Sequence, residues 1–267
     1  MAFVLALARL RGAELLGQYS LVMTCYLLGR TCVTLGLPVV LTRETARQPE
    51  SAGRMVTHGL LVSGGFAAGI FLVAIVAART LTADAGIQAS VALTAATLLP
   101  AAALGTAEAV FLGLTRVNTL LTLTIIESAS RAAAGLLAVL MGFGLPALCA
   151  AVLFSATLTA GAAMYRLLQV RAAPVRRVDR AFVRSLLSEL WTLGPIPFVS
   201  LLSGEVAVLA LTATKSWTEL GYYAAARRLV DIAATISRAY TRAAYPRFSE
   251  HIDDDERAFG GFVRSSL

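Results

Sequence analysis

The chain has 267 residues, of which 57% are hydrophobic and 15% charged, against about 45–50% and 25% in ordinary soluble domains. With a mean hydropathy of +0.74, this excludes a water-soluble globular protein, a disordered chain and a collagen-like repeat. The net charge of +7 rests on 23 basic residues, all Arg except Lys215. In a soluble chain a pI of about 9.8 would point to nucleic acid. Here the Arg residues fall between apolar runs, as they do where a multispan protein marks its cytoplasmic side, so no nucleic-acid partner is expected.

Residues 1–10 read as the end of one helix. An apolar run meets Arg9 and Arg11 with no basic region before it and no cleavage site, which is not the pattern of a signal peptide. A hydrocarbon core of about 30 Å needs about 20 apolar residues as helix. Seven segments reach that length, at roughly 18–41, 55–78, 87–112, 117–141, 145–165, 190–213 and 220–246. None shows the alternation of an outer-membrane barrel strand, so the fold class is all-α and polytopic. Cys25, Cys32 and Cys149 lie inside these runs and define no disulfide framework.

The connections set the orientation. Alternate loops hold eleven Arg residues, among them Arg43, Arg47, Arg54, Arg116 and the cluster from Arg166 to Arg184, while the intervening loops hold four basic residues. The first set is therefore expected in the cytoplasm. The stretch RLLQVRAAPVRRVDRAFVRSLLSEL is too charged to span and reads as a cytoplasmic linker with an interfacial helix and a modest affinity for anionic membrane lipids. Three parts follow: a first transmembrane bundle at 1–165, a basic linker at 166–189 and the start of a second bundle at 190–267.

AELLGQYSL at 13–21 is echoed by TELGYYAAA at 218–226. The echo sets Gly17 and Tyr19 against Gly221 and Tyr223, and Arg43 against Arg247, at one offset of 204 residues. Six spans separate the copies, an even number that preserves orientation, which suggests a parallel repeat of six-helix units. By the same offset the chain is expected to begin inside its own first helix and to lack about 126 residues after Leu267.

The run GAELLGQYSLVMTCYLLGRTCVTLGLPVVLTRETARQ resembles the first block of polysaccharide-biosynthesis membrane proteins, the oligosaccharide-lipid flippases of the multidrug/oligosaccharidyl-lipid/polysaccharide exporter superfamily. The matching features are Gly17–Tyr19, Gly36–Pro38 and Arg43–Glu44–Arg47. LWTLGPIPFVSLLSGEVAVLALTATKSWTELGYYAAARRLVDI is similar to the family's seventh and eighth helices, with Glu205 where Asp is commoner. Arg30 and Thr34 stand where the family usually has an Asp before Leu-Gly-Leu, and the family has twelve or more helices. The resemblance implies a translocator of undecaprenyl-diphosphate-linked oligosaccharide in the bacterial cytoplasmic membrane. It would work by alternating access about a cationic cavity, with glycosyltransferases or a polysaccharide polymerase as the partners the resemblance implies.

A charge near the bilayer centre costs about 2.5–3.5 kcal/mol on insertion scales, so such residues usually face a cavity or a partner. Arg228, Asp231, Thr235, Arg238 and Arg242 share one face of the last span, with Arg227 close beside Arg238. Such a line of guanidiniums suits a diphosphate, because Arg pairs phosphate oxygens bidentately. Alternatively, Arg227 and Asp231 pair at i, i+4 and the others snorkel. Arg30, beside Thr24, Thr31 and Thr34, is a further candidate for the cavity wall. Glu127 and Arg131, also at i, i+4, suit a structural pair better than a proton or substrate site. Glu205, solitary in its span, suits either a coupling proton or a partner on another helix. Gly65 and Gly69 would admit a close helix neighbour. Asp253 to Glu256 suit the start of an interfacial helix.

No Walker loop, nucleotide fingerprint or metalloprotease motif occurs, so no cofactor, no metal and no enzymatic reaction are expected. Two rival functions remain open at this point. One is a drug or organic-cation exporter of the same superfamily. The other is a non-transporting scaffold, or remnant, of a glycan-assembly complex.

Overall fold

A computed structural model describes residues 2–81, 85–170, 172, 179–213, 217–228, 230 and 231. All secondary structure among them is helical. They belong to two compact units, Met1–Tyr222 and Tyr223–Leu267. The first runs through α1 (Ala2–Thr34), α2 (Leu37–Arg47), a 3-10 turn (Pro49–Ser51), α3 (Ala52–Leu81), α4 (Ala85–Ala96), α5 (Leu98–Gly113), α6 (Val117–Leu140), α7 (Leu145–Gln169), α8 (Arg180–Leu193) and α9 (Pro195–Ala213). A further helical run begins at residue 217.

Among the described residues, five segments are long and apolar enough to cross a membrane: Pro49–Thr80, Ala85–Gly113, Val117–Leu140, Leu145–Gln169 and Pro195–Thr212. A sixth forms if Arg9–Thr34 and Leu37–Arg47, bent by 43° at their junction, count as one. These correspond to the first six segments read from hydropathy. Most of the seventh, 220–246, lies outside the described residues. The protein is an all-α, multi-pass membrane protein.

Prolines explain where helices break within or beside a span. Gly36-Leu37-Pro38 separates α1 from α2, with Leu35 at φ 37 and Gly36 at φ 78. Pro38 offers no N–H to the carbonyl of Thr34, and its ring collides with that carbonyl if the helix continues. Pro100 does the same to Ala96, and α4 gives way to α5 at Thr97. Pro195 ends α8, so the span expected from residue 190 begins at Pro195, and Leu190–Leu193 complete the preceding amphipathic helix. The segment expected as a single span at 18–41 is therefore two helices bent against each other, whereas that at 87–112 remains one span, with helical bonds carried across the break at Thr97. Gly12, at φ 84 and ψ 171, makes a fourth break inside α1, a conformation open to glycine.

The basic end of the first unit is its best-packed part. Leu41, Val56, Leu104, Phe111 and Leu167 are buried together there, and α8 adds Leu186 and Leu190 while leaving Trp191 86% exposed. This amphipathic helix occupies the second half of the basic linker. α2 lies against α5 because Gly113 lacks a Cβ, which would come within 2.7 Å of Thr45 Cβ and 2.8 Å of the Thr42 carbonyl oxygen. Thr42 in turn donates to the carbonyl of Ala109 at 3.0 Å. Gly65 and Gly69 do not play the expected packing role, since a Cβ at either would meet nothing within 4 Å. They share a face of α3 with the exposed Leu72, Val73 and Val76, a surface suited to lipid.

Candidate functional site

α1 and α9 run antiparallel and meet along their length. At the basic end the two breaks touch: a Cβ on Gly36 would lie 3.1 Å from Leu193 Cβ, and one on Gly194 would lie 3.2 Å from Leu35. Midway, Thr24 Oγ1 donates to Glu205 Oε2 at 2.8 Å, and both side chains are buried. Glu205 is thus not the solitary carboxylate that its span suggests. The partner comes from α1, which sequence spacing within α9 does not reveal.

At the opposite end the two glycines of the repeat cross. A Cβ on Gly17 would collide with the carbonyl oxygen of Trp217 and lie 3.0 Å from the Gly221 nitrogen. A Cβ on Gly221 would collide with the carbonyl oxygen of Ala13 and lie 2.7 Å from its carbon. Trp217 follows Ala13 by the same 204 residues that separate Gly221 from Gly17. One contact therefore occurs twice with its partners exchanged, as it does about a two-fold axis.

Between these ends lies a cluster of charge. Arg30 Nη2 on α1 is 3.4 Å from Glu108 Oε2 on α5, with about 30% of each side chain exposed. Tyr26 is one turn before Arg30 and within hydrogen-bonding reach of it. Glu127 and Arg131 on α6 form the expected i, i+4 ion pair and lie within coulombic reach of Tyr26. Arg131 Nε is buried and has no acceptor among the described residues. Two guanidiniums and two carboxylates leave the cluster balanced. The Arg30 contact is nevertheless longer than a strong charge-assisted bond of about 2.7–2.9 Å, and a guanidinium carries five N–H donors. Arg30 can therefore hold Glu108 and still take a second oxyanion. Spacing within the sequence assigns no role to Glu108 or Tyr26. Neither has a local signal, because their partner is on another helix.

On the basic side Arg43 makes a bidentate pair with Glu189 of α8, at 2.7 and 3.0 Å, and also holds its neighbour Glu44 at 3.1 Å. The Arg-Glu-x-x-Arg motif thus clasps α2 to α8. Arg227, Arg228 and Asp231 belong to the second unit. There Arg228 Nη1 and Asp231 Oδ2 are 4.0 Å apart and about half exposed. Arg238, the remaining member of the expected stripe, lies outside the described residues, as do Thr235, Arg242 and Asp253 to Glu256. Among the described residues no three His, Cys, Asp or Glu side chains group as a metal site.

Membrane-spanning helices that gather their few charges on α1, against α5, α6 and α9, define a polytopic protein with a polar interior. The chain belongs to the polysaccharide biosynthesis protein family, whose model matches residues 6–266. Its general role therefore lies in polysaccharide biosynthesis at a membrane. No curated protein and no solved structure gives a significant match.

Proposed function

We propose that the protein moves a lipid-linked oligosaccharide, carried on undecaprenyl diphosphate, from the inner to the outer leaflet of the bacterial cytoplasmic membrane. The observation that carries this reading is Arg30, an intramembrane guanidinium only loosely engaged by Glu108. A structural ion pair needs no spare donors, whereas a diphosphate needs a cation that is charged out of water and can fork across two oxygens. The protein performs no covalent chemistry in this scheme. Arg30 receives the diphosphate, Glu108 and Tyr26 hold Arg30 in place, and the lipid tail stays in the bilayer. Glu205, bonded to Thr24 across α1 and α9, is our candidate to take a coupling proton, and Arg227 and Arg228 are the further cationic candidates. The Arg-rich side faces the cytoplasm, where the glycan is assembled.

Binding of a synthetic polyprenyl-diphosphate disaccharide to the detergent-solubilised chain, followed by native mass spectrometry, tests this reading. Binding should be displaced by inorganic pyrophosphate and lost in Arg30→Ala, with Arg30→Lys intermediate. Equal binding by wild type and Arg30→Ala would remove Arg30 from the site, and a preference for organic cations would favour the drug-exporter alternative.

A further inference from the structure

The basic end of the bundle holds a histidine that the proposed transport does not use. His58 lies in the second turn of α3 with its side chain fully buried. Its Nδ1 is 2.7 Å from the main-chain carbonyl oxygen of Arg54, and its Nε2 is 3.0 Å from the main-chain nitrogen of Asp179. A carbonyl only accepts and a peptide N–H only donates, so the ring carries its proton on Nδ1 and presents a bare Nε2. Both neighbours thereby require the neutral ring.

Asp179 is the N-cap of α8. Its Oδ1 accepts from the main-chain nitrogens of Ala181 and Phe182 at 3.0 and 3.2 Å, and its Oδ2 accepts from Arg54 Nη2 at 3.0 Å. Phe182 stands edge-on to the imidazole, with ring centroids 5.0 Å apart, and the Arg54 guanidinium lies over Phe182 at 5.0 Å. His58, Arg54 and Phe182 therefore fix both the main chain and the side chain of the residue that starts α8.

We propose that His58 and Asp179 form a proton-operated latch on the amino-terminal end of α8. When the ring takes a proton from water at Nε2, two N–H groups face each other across 3.0 Å and the Asp179 nitrogen loses its acceptor. The carboxylate of the same residue is an acceptor for the new imidazolium N–H. In turning to it, the carboxylate gives up the helix cap or the bond to Arg54.

Among the described residues the charged groups around the ring are Arg54 on its own helix and Asp179 on α8, with the exposed Arg180 and Arg184 further along α8 and the exposed Glu50 in the turn before α3. Beside the neighbouring Gly59, α2 and α5 present Leu41 and Thr106, which do not ionise. α1 meets α3 more than two turns away, near Ala67, where its titratable group is Tyr26. Among the described residues protonation thus sets the imidazolium between the Arg54 cation and the Asp179 anion, and the anion is the one that can move toward it. The far end of α8 remains clasped through Glu189 and Arg43, so release frees the start of the helix and leaves the junction with α9 as its pivot.

Hydrogen–deuterium exchange of the 267-residue chain in phosphatidylethanolamine/phosphatidylglycerol vesicles tests the latch, with rates corrected for intrinsic pH dependence. Between about pH 8 and about pH 5, the amides of residues 181–186 should exchange about fivefold faster. That is the size expected for loss of a helix cap. Segments of α7 should not change, and His58→Gln should abolish the response. The same exchange at both pH values in the wild type, or the same acceleration in His58→Gln, would overturn the proposal. Nitrogen-15 NMR of the imidazole in a His251→Gln background, where His58 is the remaining histidine, gives a test that leaves His58 in place. It should show an Nδ1–H, bare-Nε2 ring at the higher pH, and an Nε2–H tautomer would contradict the latch.

Discussion

A methyl group added at Gly17 or Gly221 should separate two helices that cross backbone to backbone. In either case the new Cβ falls on a main-chain carbonyl oxygen, of Trp217 for Gly17 and of Ala13 for Gly221. Ordinary carbon–oxygen contact needs about 3.2 Å or more, so the helices must move apart by about 1 Å, since backbone cannot rotate away as a side chain can. Overpacking of this kind costs about 1–3 kcal/mol, which outweighs the gain of about 0.5–1 kcal/mol from replacing helical glycine by alanine. The same gain acts without opposition at Gly65, where a Cβ meets nothing. Gly17→Ala and Gly65→Ala should therefore change stability in opposite directions. Because both collisions are relieved by one separation, the double variant Gly17→Ala/Gly221→Ala should cost clearly less than the sum of the single variants. Unfolding in mixed detergent micelles, monitored by helical circular dichroism, measures all four. Stabilisation by Gly17→Ala, or strict additivity in the double variant, would refute the close crossing and with it the exchange of contacts about a two-fold axis.

The other predictions concern the charged groups. Glu127→Gln leaves Arg131 charged within the membrane and should cost about 3 kcal/mol in the same unfolding assay, whereas Glu127→Gln/Arg131→Gln should recover most of that loss. Glu189→Arg should weaken the hold of α2 on α8, read as faster hydrogen–deuterium exchange in the last two turns of α8. Combining it with Arg43→Glu should restore the protection at low salt and less so at high salt. Thr24→Val removes the donor to Glu205 and should lower transport with little change in substrate binding, and an equal loss of both would place Glu205 in the binding site instead.

Much of this architecture is legible in the residue pattern because it rests on local rules. Long apolar runs give the spans, and the offset of 204 residues pairs Gly17 with Gly221 before any contact between them is known. Prolines 38, 100 and 195 mark the breaks, yet hydropathy windows average over them, which is why the span at 18–41 reads as unbroken and α9 as starting five residues early. The Glu127–Arg131 pair was visible because both members lie on one helix. Partners on different helices were not: Arg30 with Glu108, Thr24 with Glu205, and His58 with the backbone of Asp179 depend on which helix faces which, and no spacing encodes that. Gly65 and Gly69 illustrate the converse, since a small-residue motif permits close packing but does not supply the neighbour.

The most direct test of the proposed function is translocation itself. Vesicles containing the chain and a fluorescent polyprenyl-diphosphate disaccharide are exposed to a membrane-impermeant quencher, and the fraction reached over time is compared with that in protein-free vesicles. The account predicts that the protein accelerates exchange between leaflets, that Arg30→Ala returns it to the protein-free rate, and that Arg30→Lys is intermediate. A wild-type rate equal to that of protein-free vesicles, or full activity in Arg30→Ala, would contradict it.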